Sequence, residues 1–151
     1  MKEFTTITEI LDFAIGEEQA AVDFYLTLAA QSKSIQSKNT FEGFAREEIQ
    51  HKANLIRIKE EGIFLLPEQK VRDMKIAEYL IDVKPAPNLS YEDALILAMK
   101  KEKAAFRMYS KLAENATDPL VRDLFLNLAQ EESKHKLRFE VEYDDYVLRE
   151  N

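Results

Sequence analysis

The chain has 151 residues, of which 46% are hydrophobic and 32% are charged, a size and balance typical of one globular domain covering residues 1–151. Its net charge of -7 argues against nucleic-acid binding, which needs a basic surface to displace counterions. The lack of cysteine excludes disulfides and iron–sulfur clusters built from this chain. No apolar run approaches the roughly 18 residues of a membrane helix, and no signal-peptide pattern opens the chain. We therefore expect a cytoplasmic protein that binds no membrane.

The first two elements form one predicted helical hairpin. Only 3 glycines and 4 prolines interrupt the chain, which favours long helices. The first helix begins near Thr6 or Thr8, after which apolar residues recur at steps of three and four. After a short polar segment, the second helix runs from about Gln36 to Glu61, and Gly62 is a suitable C-terminal stop.

A longer connection leads to the second predicted hairpin. It contains a short helix at about Glu68 to Ile81 and a proline-containing, extended segment from Val83 to Leu89. The third bundle helix begins after Ser90 and ends near Ala116.

The fourth bundle helix begins at Asp118-Pro119, a capping residue followed by proline at the first helical position. It reaches the last residues, with fraying expected near Asp144 and Asp145. Short links within each hairpin and a long crossover between them predict an all-α fold, an antiparallel four-helix bundle.

The two halves of the chain repeat each other at an offset of 84 residues, without a gap from Thr6 and Ser90 to Lys52 and Lys136. The matched pairs include Leu11 and Leu95, Ala14 and Ala98, Glu18 and Glu102, Tyr25 and Tyr109, Phe41 and Phe125, Glu47 and Glu131, Glu48 and Glu132, and His51 and His135. Shared core packing explains the repeated apolar residues. It does not readily explain the repeated Glu, His and Tyr.

Both histidines of the chain follow a glutamate by three residues, in Glu48-Ile-Gln-His51 and Glu132-Ser-Lys-His135. Residues three apart lie on one helix face, so the carboxylate and the imidazole can bind the same metal ion. A single Glu-x-x-His is a weak signal because helices are rich in glutamate. Two at matching repeat positions, which use every histidine, are far more specific.

Glu18 and Glu102 complete the candidate ligand set. Each lies 30 residues before the Glu-x-x-His glutamate of its own hairpin, so antiparallel packing lets it face that motif. Apolar residues flank both, as Met99 and Phe106 flank Glu102, which predicts burial. Because unpaired buried carboxylates are unfavourable, we expect two divalent cations to balance the four charges. The alternative is that each glutamate is an ordinary solvated surface charge.

Tyr25 and Tyr109 lie seven residues after Glu18 and Glu102, two helical turns further along nearly the same stripe. Their hydroxyls can therefore bond to ligand carboxylates on neighbouring helices. The alternative is an ordinary buried tyrosine bonded to backbone or water. Six phenylalanines are assigned to core or inter-chain packing: Phe4, Phe13, Phe24, Phe44, Phe64 and Phe106. The acidic run 140–145 is assigned to a solvated helix face.

These residues resemble the ferritin-like di-iron carboxylate proteins, in which two helices each supply a Glu and two others each supply a Glu-x-x-His. Within that class, the segments Ala14–Tyr25 and Ala98–Tyr109 resemble the ligand helices of rubrerythrin-like proteins, and the resemblance extends from about Thr6 to Phe139. It implies a ferritin-like bundle that holds two iron ions per chain, with manganese or zinc as substitutes. It also implies bridging roles for Glu48 and Glu132 and terminal roles for Glu18, Glu102, His51 and His135.

Two departures from rubrerythrins change what the resemblance implies. The rubredoxin-like domain with four cysteines is missing, so electrons would come from an external donor such as a rubredoxin-like protein. Rubrerythrins also have an extra glutamate three residues after the third-helix ligand, where this chain has Ala105, matched in the repeat by Ala21. The resulting set of four Glu and two His is similar to that of bacterioferritin, so the peroxidase mechanism of rubrerythrins does not follow from the resemblance.

Three functions agree with these observations. The preferred one is a di-iron oxidoreductase, a peroxidase or ferroxidase that reduces hydrogen peroxide or dioxygen and protects against oxidative stress. The others are an iron-storage subunit and a non-catalytic metal-binding bundle. The long proline-containing connection argues against storage. We expect a homodimer, because twofold assemblies are the commonest.

Overall fold

The computed structural model describes residues 3–80 and 89–150, without the side chains of residues 149 and 150. The helices in these ranges are α1 (Ile7–Gln31), α2 (Ile35–Glu61), α3 (Glu68–Met74), α4 (Tyr91–Asn115) and α5 (Pro119–Glu150), and a 3₁₀ helix covers Ile76–Tyr79. No strand occurs in the described part, which confirms the all-α prediction. Every helix there is too short or too polar to cross a bilayer.

The four long helices form two hairpins that pack side by side. Helix α1 packs closely along α2, and α4 along α5, while fewer close backbone contacts join the hairpins, between α1 and α4 and between α2 and α5. This is the predicted bundle. The extended segment predicted for residues 83–89 lies outside the described residues except at its last position.

Side-chain caps set the beginnings of the long helices. Thr6 and Glu9 form a reciprocal capping box at α1, so Thr6 rather than Thr8 is the cap. Ser34 caps α2 and Ser90 caps α4, in each case by accepting a backbone N–H from the first turn. Asp118 accepts the N–H of Leu120 at 2.8 Å at the start of α5. These bonds satisfy donors that the first helical turn leaves unpaired.

Helices α2 and α3 each end at a residue in the left-handed conformation. Gly62 ends α2 with φ 60° and ψ 30°, a conformation that glycine adopts without strain. Lys75 has φ 51° and ψ 44° and ends α3 at Met74. The predicted short helix of the crossover is confirmed at Glu68–Met74 and continues as a 3₁₀ helix at Ile76–Tyr79 after a break at Lys75 that was not predicted, while its predicted last residue, Ile81, lies outside the described residues. Met74 and Ile76 are both buried, and the left-handed residue between them allows both to enter the core, which a continuing helix would prevent.

The apolar core has two parts. One part packs the first turns of α1, the end of α2 and the helices around Phe125, and the other surrounds Phe41 and Phe139 near the opposite end. Both parts contain side chains that are fully shielded from solvent. Phe106, predicted to be packed, is 40% exposed, because it lies at the edge of the stripe that α4 buries. Its assignment to the core of the chain is therefore wrong, and the alternative of inter-chain packing stays a prediction.

The C-terminal part of α5 differs from prediction in two ways. The helix continues without fraying through Asp144 and Asp145, because Tyr146 packs against Tyr91 with ring centroids 5.2 Å apart. Within the acidic run, Glu142 is only 3% exposed. It accepts hydrogen bonds from Ser37 Oγ at 2.8 Å and from the Tyr91 hydroxyl at 2.9 Å. The prediction of a fully solvated acidic face is therefore wrong at this position.

Candidate metal centre

Between the two apolar parts of the core lies a layer of buried polar side chains. Its members are between 1% and 3% exposed, and they are the six candidate ligands Glu18, Glu48, His51, Glu102, Glu132 and His135. Helices α1 and α4 each supply one glutamate, and α2 and α5 each supply one Glu-x-x-His pair. The structure thus brings together all six residues that the sequence pattern selected.

The six residues form two groups that share two carboxylates. The first group is Glu18, Glu48, His51 and Glu132, and the second is Glu48, Glu102, Glu132 and His135. Within each group, one oxygen or nitrogen atom from every residue lies within 4.8 Å of the others. The two shared carboxylates therefore stand between two adjacent positions that a cation could occupy.

Both imidazoles direct Nδ1 into this layer. His51 Nδ1 lies 3.0 Å from Glu132 Oε1, 3.5 Å from Glu48 Oε2 and 3.6 Å from Glu18 Oε2. The repeat is visible at His135, whose Nδ1 lies 3.0 Å from Glu48 Oε1. The two rings are nearly parallel, with centroids 6.3 Å apart. Each imidazole is thus oriented to offer Nδ1 to a cation.

The outer nitrogen of each imidazole contacts a carboxylate that is not among the six residues of the sequence pattern. His51 Nε2 pairs with Glu131, and His135 Nε2 pairs with Glu47. Each of these glutamates comes from the opposite hairpin and directly precedes a candidate ligand. Donation of the Nε2 proton to a carboxylate leaves Nδ1 as the ligand atom and raises its basicity. The signal for these residues was their pairing in the repeat.

Two tyrosines approach the terminal carboxylates from across the bundle. The Tyr109 hydroxyl donates to Glu18 Oε1 at 2.5 Å, and the Tyr25 hydroxyl donates to Glu102 Oε1. Both tyrosines are buried, and both bonds join α1 to α4. Because each bond occupies only one carboxylate oxygen, the second oxygen stays available.

The remaining polar atoms of the layer fit a pair of cations. Glu18 Oε2 and Glu102 Oε2 are buried without a hydrogen-bond partner, and Glu48 Oε1 and His135 Nδ1 lie 3.0 Å apart as an ion pair without hydrogen-bond geometry. Within residues 3–80 and 89–150, no lysine or arginine forms an ion pair with any of the four carboxylates. Uncompensated buried carboxylates are strongly unfavourable. Carboxylate and imidazole donors of this kind suit divalent iron, manganese or zinc.

The electrostatics of the layer favour bound protons when no cation is present. Burial, together with the charges of Glu102 and Glu48, raises the pKa of Glu132 well above its usual range. Burial alone would lower the pKa of His135, but contacts with Glu102 and Glu48 outweigh it and raise that pKa to about 10. Burial alone would raise the pKa of Glu48, but the neighbouring His135 and His51 outweigh it and lower that pKa. Entry of cations must therefore displace protons.

The model of the rubrerythrin family matches residues 9–143, a range that includes all six candidate ligands. The chain belongs to the rubrerythrin family. Comparisons with curated proteins and with solved structures find no match. Rubrerythrin-family membership and the two buried carboxylate–histidine groups together indicate a metal-binding protein of the di-iron type.

In this rubrerythrin-family chain, an acidic groove and an apolar cleft lead to the polar layer from different sides. A groove of about 400 Å³ between α2 and α5 reaches His51, and Glu47, Asp123 and Glu131 are in its lining. A cleft of about 120 Å³ between α1 and α4 reaches the carboxylates from the other side, and its lining includes Ala21 and Ala105. The groove therefore presents acidic groups, and the cleft is mainly apolar.

Proposed function

We propose that the protein is a di-iron oxidoreductase that reduces hydrogen peroxide or dioxygen with electrons from a separate donor. The observation that supports it most directly is the pair of buried groups that share Glu48 and Glu132. Two adjacent cation positions suit a reaction in which two electrons reach one oxidant molecule. A single isolated metal position would not offer this.

The chain's own residues would bind and orient the ion pair. Glu48 and Glu132 would bridge the two ions, and terminal positions would be taken by Glu18, Glu102, His51 and His135. When bound, the iron pair supplies two electrons and a Lewis-acidic surface for the oxidant. The hydroxyls of Tyr25 and Tyr109 hold the terminal carboxylates in place, and burial of the layer limits access of water.

The electron donor and the assembly belong to the same proposal. The chain has no cysteine, so a rubredoxin-like protein or another one-electron donor would restore the reduced iron pair. We also propose a homodimer. Manganese or zinc would compete for the same oxygen and nitrogen donors.

Metal content after anaerobic ferrous loading, air exposure and gel filtration tests the proposal first. We expect about two irons per chain, from the two groups that share ligands. In a separate ferrous sample that is kept anaerobic, one equivalent of hydrogen peroxide per iron pair should oxidise both irons in a single turnover. Glu48→Gln removes a shared carboxylate and should reduce the iron content by half or more. Glu60→Gln, an exposed site on the same helix, is the matched control and should retain both irons.

Three other results would reject the proposal. Loss of all metal on gel filtration would contradict the assignment of the six residues as metal ligands. Many irons per chain in a large particle would instead support an iron-storage subunit. Two tightly held irons that neither hydrogen peroxide nor dioxygen oxidises would support a non-catalytic metal-binding bundle.

A further inference from the structure

The cleft between α1 and α4 is apolar although it ends on carboxylates. Phe13, Phe24 and Met108 line it from the sides, and Leu80 closes part of it from the crossover connection. The polar residues of its lining are four of the candidate ligands (Glu18, Glu48, Glu102 and Glu132), Tyr25, Tyr109, Glu17 and Lys101. Glu17 and Lys101 form an ion pair at 3.8 Å. Neither hydrogen peroxide nor dioxygen needs an apolar compartment of this size.

Two alanines produce this space. Ala21 and Ala105 follow Glu18 and Glu102 by three residues, and they stand on opposite walls because one belongs to α1 and the other to α4. Longer side chains at these positions would extend into the cleft directly beside the carboxylates. The chain therefore leaves apolar volume at the point where an oxidant would meet the ion pair.

The volume sets the size of a suitable occupant. An apolar protein cavity of about 150 Å³ binds benzene, so about 120 Å³ suits a compact organic group of roughly four to six carbon atoms. Such a group would contact the apolar walls of the cleft, while an oxygen atom at the other end of the same molecule would reach the carboxylate layer. An occupant that also accepts two electrons at its oxygen end is a hydroperoxide.

We propose that this cleft binds the organic group of a small alkyl or aryl hydroperoxide, R–OOH, and that such compounds are the preferred oxidants. The inference rests on the proposed di-iron function and names its substrate class. The reduced iron pair, when bound by the six candidate ligands, would supply the two electrons that break the O–O bond. One proton is added to each oxygen, so R–OOH, two electrons and two protons give R–OH and water. The one-electron donor of the proposed function resupplies the electrons.

Kinetic selectivity is the first test. For the iron-loaded protein with a chemical one-electron reductant, we expect kcat/KM for tert-butyl hydroperoxide to exceed that for hydrogen peroxide by at least tenfold. Burial of each methylene strengthens binding by roughly fourfold. Ala105→Leu and Ala21→Leu fill opposite walls, and each should lower this selectivity ratio by about tenfold. Ala53→Leu, an exposed site on α2, should leave the ratio unchanged.

Binding to the metal-free protein provides a second measurement that does not depend on turnover. The reaction product tert-butyl alcohol, whose organic group has the size that the cleft suits, should give saturation-transfer NMR signals with the unsubstituted chain and with Ala53→Leu. The signals should weaken at least fivefold with Ala105→Leu or Ala21→Leu. Helical circular dichroism and iron content identify a leucine variant that fails to fold. If one of the two leucine variants fails, the binding measurement relies on the other.

The possible failures separate the two proposals. If the protein reduces hydrogen peroxide but shows no preference for the organic hydroperoxide, the substrate-class inference is overturned and the proposed function stands. Selectivity that neither leucine variant alters, or alcohol binding that neither weakens, also overturns the inference. If the iron-loaded protein reduces dioxygen but no peroxide, only the substrate-class inference is overturned. If it reduces neither dioxygen nor any peroxide, both proposals are overturned.

Discussion

The buried histidines lead to an unusual dependence of the metal-free protein on pH. The pKa of His135 is about 10 in the folded chain, against an ordinary value of 6.5. A group whose pKa is raised on folding stabilises the folded state fully below its unfolded pKa, and this stabilisation disappears as pH rises through the folded value. Glu132 acts in the same direction because its pKa is also raised. The pKa of Glu48 is lowered, so its contribution to stability has the opposite pH dependence. That contribution changes only at pH values below the ordinary pKa of 4.5, outside the interval in which His135 titrates.

The size of the effect follows from the shift. A pKa that moves from 6.5 to about 10, at about 1.36 kcal/mol per unit, gives an upper limit of about 5 kcal/mol. His135 shares its carboxylate partners with other groups, so the measured loss should lie below this limit. For a chain of this length, about 5 kcal/mol corresponds to a decrease in Tm of roughly 10–20 °C.

Thermal unfolding followed by circular dichroism, in the presence of a chelator and between pH 6 and pH 10, measures this loss. His135→Gln is the control, because it removes the titrating imidazole and keeps the general effects of rising negative charge. The difference in Tm between the two proteins should shrink as pH rises. Identical pH profiles for both proteins, or a Tm of the unsubstituted chain that rises over this interval, would refute the reasoning. Metal affinity should show the reverse trend, since cations compete with protons.

Four further substitutions test individual contacts. Glu131→Leu removes the acceptor of the His51 Nε2 proton and should weaken metal binding by about 10- to 100-fold in a chelator competition; unchanged affinity would contradict the orienting role. Tyr109→Phe leaves Glu18 Oε1 without its donor and should reduce the free energy of unfolding of the metal-free protein by about 1–3 kcal/mol in urea; after metal loading, the variant should retain the metal content of the unsubstituted chain. Phe41→Ala, at a fully buried site, should lower the same quantity by about 3–5 kcal/mol, and a loss below 1 kcal/mol would be inconsistent with its packing. Gly62→Ala should lower the free energy of unfolding in urea by about 1–2 kcal/mol. The reason is conformational, because the left-handed φ of 60° disfavours a side chain while the space around the residue is open.

The sequence predicted the bundle and the convergence of the six candidate ligands because both depend on periodicity. A helix has 3.6 residues per turn, so Glu48 and His51 lie on the same face of their helix, and the apolar pattern places that face towards the core. The internal repeat then placed Glu132 and His135 in an equivalent position. No tertiary information was needed beyond the pairing of antiparallel helices.

The features that the sequence did not predict depend on contacts between distant segments. Glu142 is buried by Ser37 and Tyr91, which lie 105 and 51 residues away, so the acidic run around it gave no sign of burial. Glu131 precedes a candidate ligand and therefore points about 100° away from it on the helix. Its contact with His51 exists only because the two hairpins dock in this register.

Local irregularity was equally hard to foresee. Lysine has no preference for the left-handed conformation, so nothing in the composition indicated that Lys75 would interrupt the crossover helix. The reason is the burial of Met74 and Ile76 on either side of it. Packing of the connection against the bundle overrides the helical preference of the segment.

The division of the polar layer between two hairpins has a consequence for assembly. Neither hairpin completes a group alone, because the first group takes Glu132 from α5 and the second takes Glu48 from α2. An exchange of hairpins between two copies of the chain would rebuild both groups with the same atoms. A domain-swapped dimer and a monomer would then have the same iron content per chain and the same optical spectrum. Molecular mass in solution, and not the metal site itself, would distinguish the two forms.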